Sequence, residues 1–377
     1  GNLVVRCDSS TALNPGDRAV VRGKIYPFTA RHGGYGRLMT RRGYVGTLYL
    51  NRSSLLLRDT LHRELSPKHL SLFLHERAVA RLDRLALAPD EQALCNAMTA
   101  GDRRSLSPAL RAAYSRSGTS HLLAVSGLHV GIVFLLANLL LWWLPLFRHG
   151  HILRNIAVIL LIWLYAATTG FPPSVVRAAL MFSVLQFALA SSSEYVGMNT
   201  LAGVAFVMLL FHPDYLFDIS FQLSFIAVAG IIAWGLPLCR LLRTRRKSID
   251  MLTATLAIGF SASAATAPLI SHTFGQISVV GLALNPVVIL LSYVVVGSCT
   301  LWLVIPGTAL APLFSVVAGF AARAQNELIR AAAALPAAAL DIRLTTTQCW
   351  SVYGLFIFAT LLLWSAERKK SVSSLPE

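Results

Sequence analysis

The stretch HLLAVSGLHVGIVFLLANLLLWWLPLF occupies residues 121–147 and contains no Lys, Arg, Asp or Glu. It is longer than the roughly 20 apolar residues that a helix needs to cross the hydrocarbon core of a bilayer. Similar stretches recur towards the C-terminus, and hydrophobic residues make up 55% of the 377 residues. Charged residues make up only 13%, whereas soluble domains carry about 25%. The sequence therefore predicts a polytopic α-helical membrane protein.

The membrane region is expected to span residues 121–366 and to contain about nine apolar segments. Two of them, 198–212 and 308–322, are shorter than a helix that crosses a bilayer. Segment 276–305 contains Asn285-Pro286 and is predicted to be a broken or re-entrant helix, which is tolerated where it contacts protein or water. The nine segments are 122–147, 153–171, 173–191, 198–212, 217–237, 252–272, 276–305, 308–322 and 348–366.

Basic side chains indicate the orientation of these segments. They cluster in the loop between the fifth and sixth segments and again in the tail, residues 367–377. Short basic loops remain in the cytoplasm. When all the segments cross, this rule places residues 1–120 outside the membrane and the tail on its cytoplasmic side. The loop cluster consists of Arg240, Arg243, Arg245, Arg246 and Lys247.

Residues 1–55 have the pattern of short strands, with β-branched runs separated by turns that contain Gly, Pro and Asn. Such strands fit part of an OB-like barrel, a fold that binds single strands with basic and aromatic side chains. Residues 1–120 hold 19 Lys/Arg against 9 Asp/Glu, a net charge of +10, which favours a polyanionic partner. A basic domain that is merely solvated is the alternative. The candidate DNA-binding residues are Arg22, Lys24, Tyr26, Arg31 and Tyr35.

Residues 56–120 predict amphipathic helices, because apolar and basic positions mix at helical spacing between Leu70 and Leu85. These helices either lie on the membrane surface or pack on the β domain. The five cysteines form no CxxC pair and no cluster with His, so neither a zinc site nor another metal site is predicted.

The run from Ser126 to Gly131 combines small and polar residues. Gly127 and Gly131 form a small-xxx-small face that allows two helices to approach closely. Ser126 and His129 lie on one helical face, where they bond neighbouring helices, line an aqueous path or act as a hydrolase pair. A hydrolase pair would need an Asp or Glu to orient the His, and none lies nearby in the sequence.

Polar side chains inside apolar segments usually face the interior of a bundle or water, because exposing them to lipid is costly. Arg177 either pairs with Asp218 or contacts a DNA phosphate. Gln222 and Asn285 are expected to be interhelical hydrogen-bonding groups. The candidate channel-lining or helix-packing residues are His121, Ser126, Gly127, His129, Gly131, Arg177, Asp218, Gln222 and Asn285.

Four ordered blocks resemble the competence-protein family of DNA-uptake channels, the ComEC type. The run SGLHVG at 126–131 is the most recognisable, and a lead-in at 100–108 precedes it. The other blocks are Gly170–Ala179, Asp218–Phe225 and His272–Pro286. The resemblance covers roughly residues 85–300 and continues more weakly to about 365.

The resemblance implies transport of one DNA strand across the inner membrane during natural transformation. It also implies an OB-like domain outside the membrane and a helical domain that forms the pore. Many such proteins carry a metallo-β-lactamase-like domain, but this chain has no HxHxDH motif, so no catalytic residue, metal or cofactor is expected. The expected partners are single-stranded DNA, membrane lipid, other DNA-uptake proteins and further copies of the chain.

Two other functions stay open. A transporter of a small anionic solute would fit a broken helix at Asn285-Pro286, although the sequence shows no internal repeat. An intramembrane serine hydrolase would use Ser126 and His129.

Overall fold

A computed structural model describes residues 2–7, 18–28, 36, 39–40, 43–51, 54–59, 67–190, 197–244, 246–278, 280–305, 311–335 and 339–372. Most of these residues are helical, and a small β region precedes the helices.

The β region contains five short strands in two sheets. In the first sheet β4 is central, with β1 parallel on one side and β3 antiparallel on the other. Strands β2 and β5 form an antiparallel pair. On β4, Leu48 and Leu50 are buried while Tyr49 between them is exposed, as the two-residue period of a strand requires. The small sheet predicted from the sequence is present, and its closure into an OB-like barrel stays a prediction. The strands are β1 Asn2–Cys7, β2 Arg18–Val21, β3 Ile25–Pro27, β4 Tyr44–Leu50 and β5 Leu55–Asp59.

Helices α1 to α13 follow. Several begin with Pro in the first turn, where its missing N–H is not needed, and Ser107 Oγ caps α3 by accepting from Leu110 N at 3.2 Å. The short strands β6 (Ile277–Ser278) and β7 (Ala339–Leu340) pair between α10 and α13. The helices are α1 Pro67–Leu82, α2 Pro89–Thr99, α3 Pro108–Arg116, α4 Gly127–Leu140, α5 Gly150–Thr168, α6 Pro173–Ala190, α7 Gly197–Phe211, α8 Ile219–Gly230, α9 Leu236–Leu241, α10 Lys247–Phe274, α11 Val280–Val304, α12 Ala311–Ala333 and α13 Thr346–Val372.

Five apolar helical segments of the described chain are long enough to cross a membrane. They are Gly127–Leu146, Gly150–Thr168, Ile219–Leu241, Ile249–Phe274 and Leu284–Val304. Helices α6 and α7 are apolar but shorter. The expected nine segments are therefore not confirmed. The predicted segment 308–322 falls largely within α12, which is amphipathic and buries Gln325 and Asn326 as well as its alanines.

Segment 276–305 is not broken at Asn285-Pro286, contrary to the prediction. Helix α11 continues through Pro286, which lies in its second turn, so the proline removes a backbone hydrogen bond only near the start of the helix. The helical conformation is instead interrupted before this segment, at Gly275, which ends α10 in a left-handed conformation with φ of 72°.

A π-helical turn, Ile231–Gly235, joins α8 to α9 within one membrane-spanning segment. Trp234 in this turn donates from Nε1 to Thr360 Oγ1 of α13 at 2.8 Å. Its ring also contacts Phe356 edge-on, with centroids 5.1 Å apart.

Helices α1 to α3 pack against the membrane bundle, whereas the sequence indicated the membrane surface or the β domain. Ser71 of α1 donates to the Ala167 carbonyl at 2.6 Å, so that this carbonyl near the end of α5 accepts from Ser71 as well as from Gly170 N. Helices α2 and α3 share a core with α11 and α12, where Tyr114 OH donates to Asn326 Oδ1 at 3.1 Å. Glu91 and Arg323 form an ion pair of 2.8 Å at the edge of this core.

Candidate functional site

Five helices pack in a closed cycle, α4–α6–α8–α10–α11, in which each helix contacts the one before and the one after it. Three of these helices belong to the long apolar spans on their own, and α8 forms the first half of a fourth. Only 17% of the most apolar window of the span Ile219–Leu241 is fully buried, although α8 contacts α6, α7 and α10. Most residues of α8 are half-buried.

Helices α4, α6, α8 and α11 begin, and α10 ends, at the same end of this cycle, and the predicted polar residues lie there. We call it the polar end and define it by residues 117–129, 169–177, 218–222 and 271–285. Contacts join three of these groups: Ser174 Oγ donates to the Val125 carbonyl at 2.9 Å, and a Cβ built on Gly281 would lie 2.8 Å from the Ser117 carbonyl. The opposite end carries Arg148, Arg240, Arg243 and Arg246 among its described residues.

Ser126 and His129 form the start of α4. Ser126 is the N-cap residue, and its backbone N–H donates to His129 Nδ1 at 2.9 Å. The His side chain thus takes the role that Glu or Gln has in a capping box. His129 is fully buried, and its Nε2 has no hydrogen-bond partner among the described residues. The pair therefore fixes the helix start and leaves Nε2 directed into the bundle interior.

Gly127 and Gly131 face α6. A Cβ on Gly127 would lie 3.5 Å from Ala178 Cβ, and a Cβ on Gly131 would lie 3.2 Å from Phe182 Cζ. Phe182 in turn stacks on Phe134 of α4, with ring centroids 4.8 Å apart. The small-xxx-small face predicted from the sequence thus lies in the contact between α4 and α6.

Arg177 is buried at the first turns of α6, with 3% of its surface exposed. Its guanidinium carbon lies 5.4 Å from the centre of the Phe225 ring on α8, and Nη2 donates to the Ser174 carbonyl at 3.4 Å. Nη1 has no hydrogen-bond partner within the described part of the chain. No sequence signal paired Arg177 with Phe225, because the two are far apart in the chain and pair only through helix packing.

Asp218 caps α8 and does not form an ion pair with Arg177 among the described residues. Its Oδ1 accepts from Ser220 N at 2.8 Å and from Phe221 N at 3.4 Å. Gln222 donates to the Leu216 carbonyl at 2.8 Å, in the turn just before α8. This bond is local, so the prediction of an interhelical hydrogen bond at Gln222 is wrong for the contact that the structure records.

Buried polar atoms without a partner among the described residues recur around the cycle. They include His129 Nε2 on α4, Arg177 Nη1 on α6 and Asn285 Oδ1 on α11. Ser261 Oγ on α10 adds a fourth. Such atoms are costly in a bundle unless water or a ligand satisfies them.

His121 precedes α4 in the turn Ser120–Leu123 and remains solvent-exposed. Protein atoms nevertheless surround the ring densely, and this desolvation by burial lowers the pKa of His121.

The β region presents a separate basic and aromatic surface. Tyr26 of β3 is half-exposed, and its ring contacts that of Tyr49 edge-on at 5.7 Å. Lys24 Nζ lies 5.9 Å from the centre of the Tyr26 ring, and Arg6 lies over Tyr49 at the same distance. Sequence reasoning missed Arg6 and Tyr49, although the two-residue period of β4 marks Tyr49 as outward-facing. Arg22 is exposed nearby in the chain, whereas Arg31 and Tyr35 lie outside the described residues.

Replacing both Lys24 and Arg22 by Gln is expected to weaken the binding of single-stranded DNA and to lessen its dependence on salt. Each phosphate contact on a single strand contributes a slope of about 0.7 in log K against log salt concentration. The slope should therefore fall by up to about 1.4 in anisotropy titrations of the purified protein. An unchanged slope would show that this surface is merely solvated.

Comparisons with known proteins agree with the resemblance seen in the sequence. The sequence model of the family described as Competence protein matches residues 98–369. The chain is 33% identical over 204 residues to ComE operon protein 3 of Bacillus subtilis, covering 53% of this chain and 24% of that protein. It is 29% identical over 201 residues to an uncharacterized protein of Aquifex aeolicus, covering 53% of this chain and 45% of the relative. The chain thus spans less than half the length of either relative. No solved structure matches it significantly.

Proposed function

This chain belongs to the Competence protein family, and from that membership we propose that it conducts one strand of DNA across the bacterial inner membrane during natural transformation. The observation that carries the proposal is the closed cycle of α4, α6, α8, α10 and α11, four of whose helices bear buried polar atoms that have no partner among the described residues. Polar groups inside a membrane bundle usually mark the route of a polar substrate.

The charge distribution supports a direction of entry. Arg148, Arg240, Arg243 and Arg246 lie at the end opposite the polar end, and basic loops remain in the cytoplasm. The polar end then faces outwards, on the side from which DNA arrives. Helices α1 to α3 and the β region belong to the same outer side in this topology.

The geometry favours a channel over an intramembrane hydrolase. His129 Nδ1 already accepts the Ser126 backbone N–H at 2.9 Å, whereas Ser126 Oγ is 3.4 Å away. A general base needs a free lone pair directed at the hydroxyl that it deprotonates, and this lone pair is occupied. The small-solute transporter loses its main support as well, because α11 continues through Asn285-Pro286.

A thiol block tests the channel directly. We expect Ser126→Cys to support uptake until an impermeant, bulky thiol reagent is added outside, when transformation should fall by about 10-fold or more because the path is obstructed. Thr347→Cys is the matched control, since Thr347 is exposed at the start of α13, a helix that is not part of the cycle. Transformation frequency is measured with and without reagent, and labelling is verified by a gel shift. Full uptake through a fully labelled Ser126→Cys protein would rule out a strand path past this residue.

A further inference from the structure

An open pocket of about 500 Å³ lies on the protein surface beside the polar end. Its walls come from α1, from the turn that follows α2 and from α3. Gly101 in that turn has φ of 84°, and a Cβ on it would lie 3.2 Å from Val125 Cγ2, one residue before the cap of α4. The pocket is therefore held next to the start of the helix that carries His129. Its lining residues are Leu72, His75, Glu76, Gly101, Asp102, Arg103, Arg104 and Arg111.

One of the three arginines in the pocket is already neutralised. Arg104 donates from Nε and Nη2 to both carboxylate oxygens of Asp102 at 2.9 to 3.1 Å. This hydrogen-bonded arginine holds the pKa of Asp102 below its usual value. Asp102 is buried whereas Arg104 is exposed, so the pair stiffens the turn and adds no net charge to the pocket.

The other two arginines remain available. Arg103 is exposed, and its guanidinium has no hydrogen bond or ion pair among the described residues, while Arg111 donates one N–H to the Arg103 carbonyl. Although Arg103 is accessible to solvent, neighbouring protein atoms partly desolvate its guanidinium and lower its pKa, and repulsion from the nearby Arg111 lowers the pKa further. An anion that binds to both guanidinium groups would relieve the repulsion between them.

The remaining groups set the character of the ligand. His75 Nδ1 contacts the Thr168 carbonyl at 3.1 Å, and Glu76 adds a second carboxylate to the lining beside Asp102. Leu72 is the one apolar side chain of the lining, and it is partly exposed. The pocket is open and offers both polar and apolar surface, so a lipid headgroup is the competing ligand, and the test below separates the two.

We infer that Arg103 and Arg111 bind a phosphodiester group of an incoming nucleic acid strand and hold it at the entrance to the polar end. Guanidinium groups suit this ligand because their planar N–H forks match phosphate oxygens. The inference rests on the proposed function for the identity of the strand, but the site itself is defined by the residues of the pocket.

The test uses the full chain in nanodiscs of neutral phosphatidylcholine and a fluorescent oligothymidylate of about 12 nucleotides. Arg103→Gln/Arg111→Gln is compared with Arg84→Gln/Arg116→Gln, which removes the same charge from exposed positions of neighbouring elements outside the pocket. We expect the pocket variant to bind about 10-fold more weakly, with a salt slope lower by about 0.7, and the control to change by less than about 2-fold. Equal effects of the two variants, or none, would overturn the inference.

Two further arms separate the alternatives. If the pocket variant loses binding to vesicles of phosphatidylglycerol while oligothymidylate binding is unchanged, a lipid headgroup is the ligand and the inference fails. Arg103→Lys/Arg111→Lys keeps the charge without the fork and should fall between the wild type and the Gln variant. The thiol block at Ser126 tests the channel independently. If that block does not reduce transformation, oligothymidylate binding that depends on Arg103 and Arg111 still supports the phosphate site.

Discussion

Arg177→Ala is expected to reduce transformation on the order of 100-fold while the protein remains in the membrane. Arg177 is buried between α6 and α8, stacked on Phe225, with Nη1 unpartnered among the described residues. A buried charge in this position is costly. Under the proposed function, Arg177 would offset this cost by contacting the phosphates of the passing strand. The measurement is transformation frequency at protein levels matched by immunoblot.

Asp218→Asn is the control that separates a phosphate contact from an ion pair. Asn is as good an N-cap as Asp, so α8 keeps its start. Because no ion pair joins Asp218 to Arg177 within the described chain, this substitution should cost less than about 3-fold in transformation. Arg177→Lys should retain part of the uptake, because a point charge survives where the fork and the stacking are lost. A loss at Asp218→Asn as large as that at Arg177→Ala would refute the phosphate contact.

Gly230→Ala is expected to separate α8 from α10 and to reduce both stability and uptake. The added Cβ would lie 2.5 Å from Ala265 Cβ and 3.0 Å from the Ser261 carbonyl, where backbone rather than a flexible side chain must move. Overpacking of this kind costs about 1–3 kcal/mol, and small residues at a membrane interface are what allow close approach. The melting temperature of the protein in detergent should fall by several degrees, and transformation should fall with it.

Two variants test whether this effect comes from the contact. Gly259→Ala on α10 places its Cβ in open space, so it should be neutral or slightly stabilising. Ala265→Gly combined with Gly230→Ala removes the nearest clash and should restore much of the lost stability. A double variant no better than Gly230→Ala would place the damage in α8 itself.

The features that the sequence predicted are those that depend on local composition. Apolar runs identified the bundle, and the polar residues singled out from the sequence lie at one end of it, because the helix directions bring 126–129, 177, 218 and 285 to the same level. Features that depend on which helices meet were not predictable. Arg177 contacts Phe225 rather than Asp218, and Gln222 bonds locally to Leu216.

Composition was misleading where an apolar run serves a protein interface. Residues 308–322 read as a membrane segment because they are rich in Ala, Val and Leu, yet α12 continues to Ala333 and buries Gln325 and Asn326 against α2 and α3. Small apolar residues suit a close helix–helix contact as well as they suit lipid. The Asn285-Pro286 pair was misread for a different reason: a proline in the second turn of a helix disturbs it far less than one at its centre.

Because of the π-helical turn at Ile231–Gly235, the contacts of this segment depend on its number of residues as much as on its composition. A π turn holds one residue more than an α turn would, so everything after it is rotated by about 100° relative to an uninterrupted helix. Trp234 in this turn donates a hydrogen bond to α13. Gly230, just before the turn, and Gly235, its last residue, both lie against Ser261 of α10. This short stretch therefore contacts α10 on one side and α13 on another. A chain shortened by a single residue here would regain a regular helix and would have to release either α10 or α13.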